Sequence, residues 1–407
     1  MAQRILVVGQ HFWPEQFRVN DIVDFMIDEG VEVDVLCGRP NYPSGQLAPG
    51  YTLWNRKIER YRTATVYRSF EIPRGNNSNL RILLNYVSFP VTSLFRVPRL
   101  LFKKYDRVFI YQLSPVMMSF AGIVLGKMKR IPTTMYVLDL WPENLYSVLD
   151  IRSGLLRRIA ESVSHWHYRR VDRLVALSSR MRDRLLEVTS KSPSDVIVVP
   201  QVAEKLYETT IVDEELSERF AETFNVVFTG NISPAQSFST MLDAAEILEK
   251  SGISGIRWII VGDGMSRLAV EQEVAHRGLE HLFAFEGHHP VEEMPKYTHI
   301  ADVLVGCLVR SDLLEATVPA KVMSYIAAAK PIVLAMDGEV QSLVATTIRC
   351  GYAGPTGDAE TLAANIRRMF LLTPQARAEM GERARAYHFE HFERNKVLTR
   401  LLEFIQR

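Results

Sequence analysis

Three observations predict an α/β protein built from two Rossmann-like, doubly wound parallel-sheet domains. The chain opens on a βαβ unit: Ile5-Leu6-Val7-Val8-Gly9, a helix from about Arg18 to Glu29 closed by Gly30, and a second apolar run, Val31–Cys37. Parallel strands joined through a helix wind with one hand and build such sheets. After a polar stretch at 201–222 the alternation restarts, with strands at Asn225–Phe228, Arg257–Val261, Phe283–Glu286 and Asp302–Cys307 separated by helix-length segments. Nearly every strand runs into a polar or Gly-bearing turn at its carboxyl end, the edge where ligands bind in these sheets. The 407 residues suit two domains. We place them at 1–203 and 223–385, with a hinge at 204–222 and a C-terminal helix in 386–407 that packs back on the first domain.

Composition narrows the class. The chain is 47% hydrophobic and 23% charged, an ordinary globular balance. Cys37, Cys307 and Cys350 stand far apart in no metal spacing, which fits a reducing cytoplasm. Met1-Ala2-Gln3-Arg4 leads straight into a strand rather than a signal peptide, and no run reaches the roughly 18 apolar residues of a spanning helix. Net charge is +1 but uneven: residues 56–107 carry +9 and residues 151–184 carry +6, leaving the remainder acidic. A basic N-terminal half favours an anionic surface or an anionic substrate.

The first domain offers several candidate loops. Gln10–Phe17 lacks the Gly-x-Gly-x-x-Gly of a dinucleotide site and holds Pro14-Glu15-Gln16-Phe17-Arg18 instead. Residues 39–55, with Asn41 and Tyr42, form a long Pro/Gly/Tyr loop after the second strand, a length that often serves function. Residues 80–105 mix Phe89, Phe95 and Phe102 with Arg96, Arg99, Lys103 and Lys104. They fit a membrane interface and equally a core helix pair with a solvated basic edge. Strand Arg107–Gln112 ends in Leu113-Ser114-Pro115, and strand Thr133–Leu138 ends in Asp139-Leu140-Trp141-Pro142-Glu143-Asn144. Ser114, Asp139 and Glu143 are thereby expected at one sheet edge. Strands Arg173–Leu177 and Val196–Val199 complete the sheet. His165 and His167 lie two apart on a helical stretch and face different ways, as packing or surface residues.

In the second domain the informative stretch runs from Leu313 to Ala335. Thr317-Val318-Pro319-Ala320-Lys321 is a turn that opens a helix, with Pro319 suited to the first helical position. A helix start favours phosphate, and Lys321 adds a full charge; an ordinary crossover with a surface lysine fits as well. Gly230, Gly262 and Gly264 permit close backbone approach to a ligand. The P-loop pattern, Asp-x-Asp and any recognised nucleic-acid module are all absent. His288-His289 are adjacent on an extended segment and point apart, so a metal site is not expected.

The pieces HFWPEQFRVNDI, PNYPSG…PGY, DLWPEN, FTGNISPAQSF, VGDG, HHPVEEMPKY and VPAKVMSYIAAAKPIV, in this order, resemble retaining glycosyltransferases of the GT-B fold, family GT4. Within it the chain is similar to the WbuB-like branch of bacterial surface-polysaccharide synthesis. The resemblance implies two Rossmann-like domains facing across a cleft. The second would hold a nucleotide-diphosphate sugar, most naturally a UDP-sugar, which is a substrate; no cofactor and no metal are implied. Gly230, Asn231, Gln236, Gly262, Asp263, Gly264, His288, Thr317, Val318, Pro319 and Ser324 would bind the donor. Phe17, Arg18, Asn41, Tyr42, Ser114, Trp141 and Glu143 would meet a lipid-linked saccharide acceptor. Lys321 would neutralise the leaving diphosphate, with Asp139 or Glu15 orienting the acceptor hydroxyl. The chain departs from many relatives at Asn231 and Gln236, where an Arg and a Lys are usual. It also departs at Ala316 and Ser324, where a Glu pair is usual and Glu315 lies one residue off, and at Phe17-Arg18 in place of Gly-Gly. Further expectations are a cytoplasmic protein, peripheral on the inner membrane face, meeting an anionic membrane surface and no nucleic acid. The rival readings are a non-hydrolysing UDP-sugar 2-epimerase on the same fold and a non-catalytic subunit of a polysaccharide complex.

Overall fold

The computed structural model describes residues 3–42, 44–75, 79–142, 145, 153–203, 205–311 and 318–407. The chain forms two compact units, Met1–Pro200 together with Leu398–Arg407, and Gln201–Val397.

The first unit is built on an eight-stranded sheet of order β3-β4-β2-β1-β5-β6-β7-β8. Its strands are β1 (Arg4–Val8), β2 (Glu32–Cys37), β3 (Ile58–Tyr61), β4 (Ala64–Arg68), β5 (Arg107–Gln112), β6 (Thr133–Val137), β7 (Arg173–Ala176) and β8 (Val196–Val198). Seven run parallel, and only the edge strand β3 pairs antiparallel, with β4. Ile5–Val8 are wholly buried, as a central strand covered on both faces requires. The chain reverses direction of travel between β2 and β5, on either side of β1, which makes the carboxyl end of β1 the switch point. The helices are α1 (Arg18–Asp28), α2 (Asn79–Leu94), α3 (Val97–Leu101), α4 (Phe120–Lys129), α5 (Gly154–Arg170) and α6 (Ser179–Thr189). The hairpin β3–β4 is absent from the sequence reading. Glu59, Arg60, Arg62 and Arg68 hide its alternation, and Arg68 is buried only because it pairs with Glu59 and donates to the Gly38 carbonyl.

The second unit holds a six-stranded, all-parallel sheet of order β11-β10-β9-β12-β13-β14. These are β9 (Phe224–Thr229), β10 (Ile256–Val261), β11 (Phe283–Gly287), β12 (Val303–Cys307), β13 (Ile332–Ala335) and β14 (Gly351–Gly354). Separate apolar clusters cover its two faces, one around Met323, Ile326 and Leu334, the other around Met241, Trp258 and Ile366. The covering helices include α7 (Phe238–Lys250), α8 (Arg267–His276), α9 (Met294–Ile300), α10 (Ala320–Ala327), α11 (Ala359–Phe370) and α12 (Pro374–Tyr387). β9 sits between β10 and β12, so its carboxyl end is the second switch point. β14 also escapes sequence reading, being Gly-Tyr-Ala-Gly. Its Gly351 is required by space, since a Cβ there would fall 1.7 Å from the Ile332 carbonyl oxygen.

The last helix, α13 (Arg394–Gln406), buries Leu398, Leu401, Phe404 and Ile405. Arg107 donates to the Gln406 carbonyl at 3.0 Å and Arg173 to that of Phe404 at 3.3 Å. These are the orphan carbonyls of a helix end, which cations stabilise. Among the described residues no helix is long and apolar enough to cross a membrane.

Candidate active site

The second unit assembles its candidate site from two glycine turns and one helix start. β9 runs directly into Gly230 and β10 into Gly262, with Gly264 two residues on. Their φ angles, +133, +142 and +158, suit glycine. A Cβ on Gly262 would lie 1.9 Å from the Gly230 carbonyl oxygen, and one on Gly264 would lie 2.4 Å from Asn231 Oδ1. The turns therefore pack backbone against backbone. Their amides are already engaged: Gly230 N–H donates to Val261 (2.9 Å), Gly262 N–H to Gly287 (2.8 Å) and Gly264 N–H to Asp263 Oδ1 (2.8 Å). The glycines supply close approach, and the charge must come from elsewhere.

Lys321 supplies it. A Cβ on Gly230 would meet Lys321 Cε at 3.2 Å and Nζ at 3.5 Å, so helix and turn are in contact. The ammonium lies 3.4 Å from the centroid of the Phe228 ring and donates to Gln236 Oε1 at 2.6 Å. Burial pushes its pKa well below that of an ordinary lysine. Among the described residues no carboxylate pairs with it. A desolvated cation that meets, among the described residues, a ring face and a neutral amide is short of negative charge. Gln236 stands where the resemblance places a lysine, and its oxygen accepts from Lys321 where a second ammonium would repel.

Tyr325, one turn along α10, fixes the helix that carries Lys321. Its hydroxyl accepts the Thr229 N–H at 3.0 Å and approaches the Val305 carbonyl at 3.3 Å, tying α10 to β9 and β12. Phe228 and Tyr325 were not singled out from the sequence. Their signal is an aromatic at the end of a central strand and another four residues after a lysine, and either pattern reads first as core.

The other donor candidates are placed as follows. Pro319 precedes the first helical residue instead of occupying it, with ψ of 136°. Ser324 Oγ donates back to the Ala320 carbonyl at 3.3 Å, and Val318 is half-buried. Asn231, Asp263 and His288 are exposed. His289 is structural: it contacts Glu293 Oε2 (2.8 Å) and the Tyr297 hydroxyl (2.8 Å). Thr317 and Glu143 lie outside the described residues.

In the first unit two clusters form. Asp139, just beyond β6, accepts both the N–H and the hydroxyl of Ser114, each at 2.8 Å. Ser114 Oγ accepts from Trp141 Nε1 at 2.9 Å, and Trp141 N–H donates to the Tyr168 hydroxyl at 2.9 Å. Burial raises the Asp139 pKa, against the lowering effect of the Ser114 bonds. Its Oδ1 has no hydrogen-bond partner among the described residues. The second cluster ties the loop after β2 to the loop after β1. Glu15 Oε1 accepts the N–H groups of Asn41 and Tyr42, each at 2.7 Å, and Oε2 contacts His11 Nδ1 at 3.0 Å. Phe17 stacks on His11 with centroids 4.8 Å apart, while Arg18 pairs with Asp21. Glu15 thus anchors the 39–55 loop. Behind it a buried network joins Gln10, Asn41, Glu71 and Asn85 around Glu71 Oε1, and burial raises the Glu71 pKa. His11 and Glu71 were missed in the sequence; His11 four residues before Glu15 was the available signal. No group of three His, Cys, Asp or Glu among the described residues is set to hold a metal.

Comparison with known proteins shows which family this fold belongs to. A model of the glycosyl transferase 4-like domain matches residues 16–201, and one of the glycosyl transferases group 1 matches residues 213–387. The chain is 24% identical over 388 residues to the putative colanic acid biosynthesis glycosyl transferase WcaI of Escherichia coli, covering 91% of this chain and 92% of that one. It is 23% identical over 156 residues, 38% of each chain, to the amylovoran biosynthesis glycosyltransferase AmsK of Erwinia amylovora. Among solved structures, HepE of Anabaena in complex with UDP and glucose superposes with a TM-score of 0.70 at 16% identity over 98% of both chains. A sucrose-phosphate synthase from Thermosynechococcus elongatus gives 0.73 at 14% identity, also over 98% of both.

Proposed function

We propose that this chain, which belongs to the GT4 glycosyltransferases of the GT-B fold, moves a sugar from a nucleotide-diphosphate sugar to a lipid-linked saccharide in surface-polysaccharide synthesis. The relatives named for colanic acid and amylovoran biosynthesis support the pathway class. HepE, solved with UDP and with UDP-glucose, supports a UDP-sugar as donor. The acceptor would dock on the first unit and the chain would work at the inner membrane face, a reading supported by the positive charge of residues 56–107 and 151–184.

The observation that carries the proposal is the Lys321 ammonium beside the Gly230 turn, desolvated and, among the described residues, without a carboxylate. As the glycosidic bond breaks, negative charge grows on the diphosphate, and a preorganised cation lowers that barrier most where water is excluded. Anomeric configuration would be retained, with the departing phosphate taking the acceptor's proton on the same face and no metal required. Asp139 Oδ1 would orient the acceptor hydroxyl. A melting-temperature panel with UDP, GDP, ADP and dTDP tests the donor half. UDP should stabilise the protein most, and failure of all four nucleotides to bind would reject the reading. Sugar transfer that appears only when an acceptor is added separates transfer from epimerisation of the donor alone.

A further inference from the structure

Helix α5 carries two different cavities on successive turns, and neither belongs to the site above. The first is a groove of about 480 Å³ between α2 and α5, lined chiefly by Val87, Pro90, Val91, Phe120, Val163 and Trp166. It lies within a wider apolar face. Leu80, Leu83, Leu84, Val87 and Val91 form an exposed stripe at helical spacing on α2, and Leu155, Leu156, Ile159 and Trp166 form another on α5. Soluble chains seldom leave a contiguous face of this kind uncovered. The second cavity, about 540 Å³, lies at the C-terminal end of α5 and gathers Lys127, Arg130, Arg170 and Arg173 against one carboxylate, Asp172. Asp172 Oδ2 is engaged by the Thr133 N–H at 2.7 Å. Among the described residues Lys127, Arg130 and Arg170 have no carboxylate partner, while Arg173 is held by the Phe404 carbonyl and ring. The two cavities are joined by one contact: Trp166 lines the groove, and the Arg170 guanidinium, one turn on, lies 5.3 Å from its ring centroid and lines the basic pocket.

We propose that this surface binds an anionic phospholipid, with hydrocarbon in the α2–α5 groove and the phosphate headgroup in the Lys127–Arg130–Arg170–Arg173 pocket. Charge complementarity selects this occupant. An apolar protein segment would cover the stripes and leave the cations without a counter-charge, and a nucleic acid would leave the groove empty. A phospholipid satisfies both halves, whose lining residues Trp166 and Arg170 are about 6 Å apart along the helix axis, the rise of four helical residues. Trp166 stands at the boundary, where an amphipathic ring is favoured. This deepens the membrane-surface part of the proposed function and is independent of the donor chemistry.

Flotation of the full chain with vesicles tests it. Wild type should bind phosphatidylcholine vesicles containing phosphatidylglycerol, bind pure phosphatidylcholine weakly, and be released by salt. Arg130→Gln with Arg170→Gln should weaken binding to the anionic vesicles roughly 25-fold, about fivefold for each cation removed. Val163→Asp should weaken it by roughly tenfold or more. UDP-induced stabilisation should survive in each variant, which shows that the variants fold and keeps this test apart from that of the donor site. Equal binding to neutral vesicles would overturn the headgroup pocket, and block by soluble glycerol phosphate as strong as by vesicles would overturn the groove. No vesicle binding, or a stable dimer that Val163→Asp dissociates, would overturn the whole proposal.

Discussion

Replacing Lys321 with methionine separates a structural lysine from a functional one. In the ligand-free protein the ammonium gains a cation–π contact with Phe228, about 2 kcal/mol when desolvated, and a charged hydrogen bond to Gln236, about 1.5–3 kcal/mol. Against these stands the desolvation of the charge, several kcal/mol. The balance is near zero, and methionine fills similar volume. Lys321→Met should therefore leave the ligand-free melting temperature within about 3 °C of wild type. Loss of one charged hydrogen bond to a diphosphate should weaken UDP binding roughly 10- to 150-fold, and turnover should fall further, because charge grows in the transition state. A pH signature accompanies this. Burial holds the free lysine's pKa well below its ordinary value, and a bound diphosphate would raise it, so at pH values between the two binding takes up a proton. UDP affinity should be full below the free protein's pKa and fall as pH rises through it. The binding enthalpy measured by calorimetry should depend on the buffer's ionisation heat in wild type and lose that dependence in Lys321→Met. Unchanged UDP affinity in the variant, or a collapse of the ligand-free fold, would show the argument to be wrong.

Gly262→Ala should cost about 2–4 kcal/mol by chemical denaturation, because its Cβ would sit 1.9 Å from the Gly230 oxygen at a φ of +142. Asp139→Asn should reduce turnover roughly tenfold or more with UDP affinity unchanged in calorimetry. Since burial raises the Asp139 pKa and the ionised form is the acceptor, wild-type turnover should fall on acidification, starting above the ordinary carboxylate range. Burial lowers the His167 pKa to about 4, and its Nδ1 contacts Ser119 Oγ at 2.7 Å. The unfolded state, near 6.5, binds the proton first, so this contribution is complete above pH 6.5 and is lost as pH falls towards about 4. The loss amounts to about 3 kcal/mol. Thermal melts of His167→Asn across that range should show a weaker acid dependence than wild type.

Much of the architecture was legible in the sequence because parallel strands buried on both faces must be nearly continuous apolar runs. Ile5–Val8, Ile110 with its neighbours, and Ile332–Ala335 announce themselves in this way. The elements that escaped have an exposed or glycine-rich character. β3–β4 alternates charges whose burial depends on the Arg68–Glu59 pair, and β14 is half glycine. In the site, Gly230, Gly262, Gly264 and Lys321 were readable as turn and helix-start residues. The role of the glycines was not, since only packing shows that their amides are engaged within the turns.

Local chemistry and periodicity along the chain were enough to define most strands of the two sheets, the edge on which their loops gather and the helix start that presents Lys321. Tertiary packing alone set the electrostatics. A lysine becomes short of charge only when Phe228, Gln236 and the Gly230 turn, distant in sequence, close around it. Glu15 becomes a loop anchor only when the amides of Asn41 and Tyr42 reach it. Periodicity is a property of neighbours in sequence, whereas desolvation and hydrogen-bond pairing depend on neighbours in space.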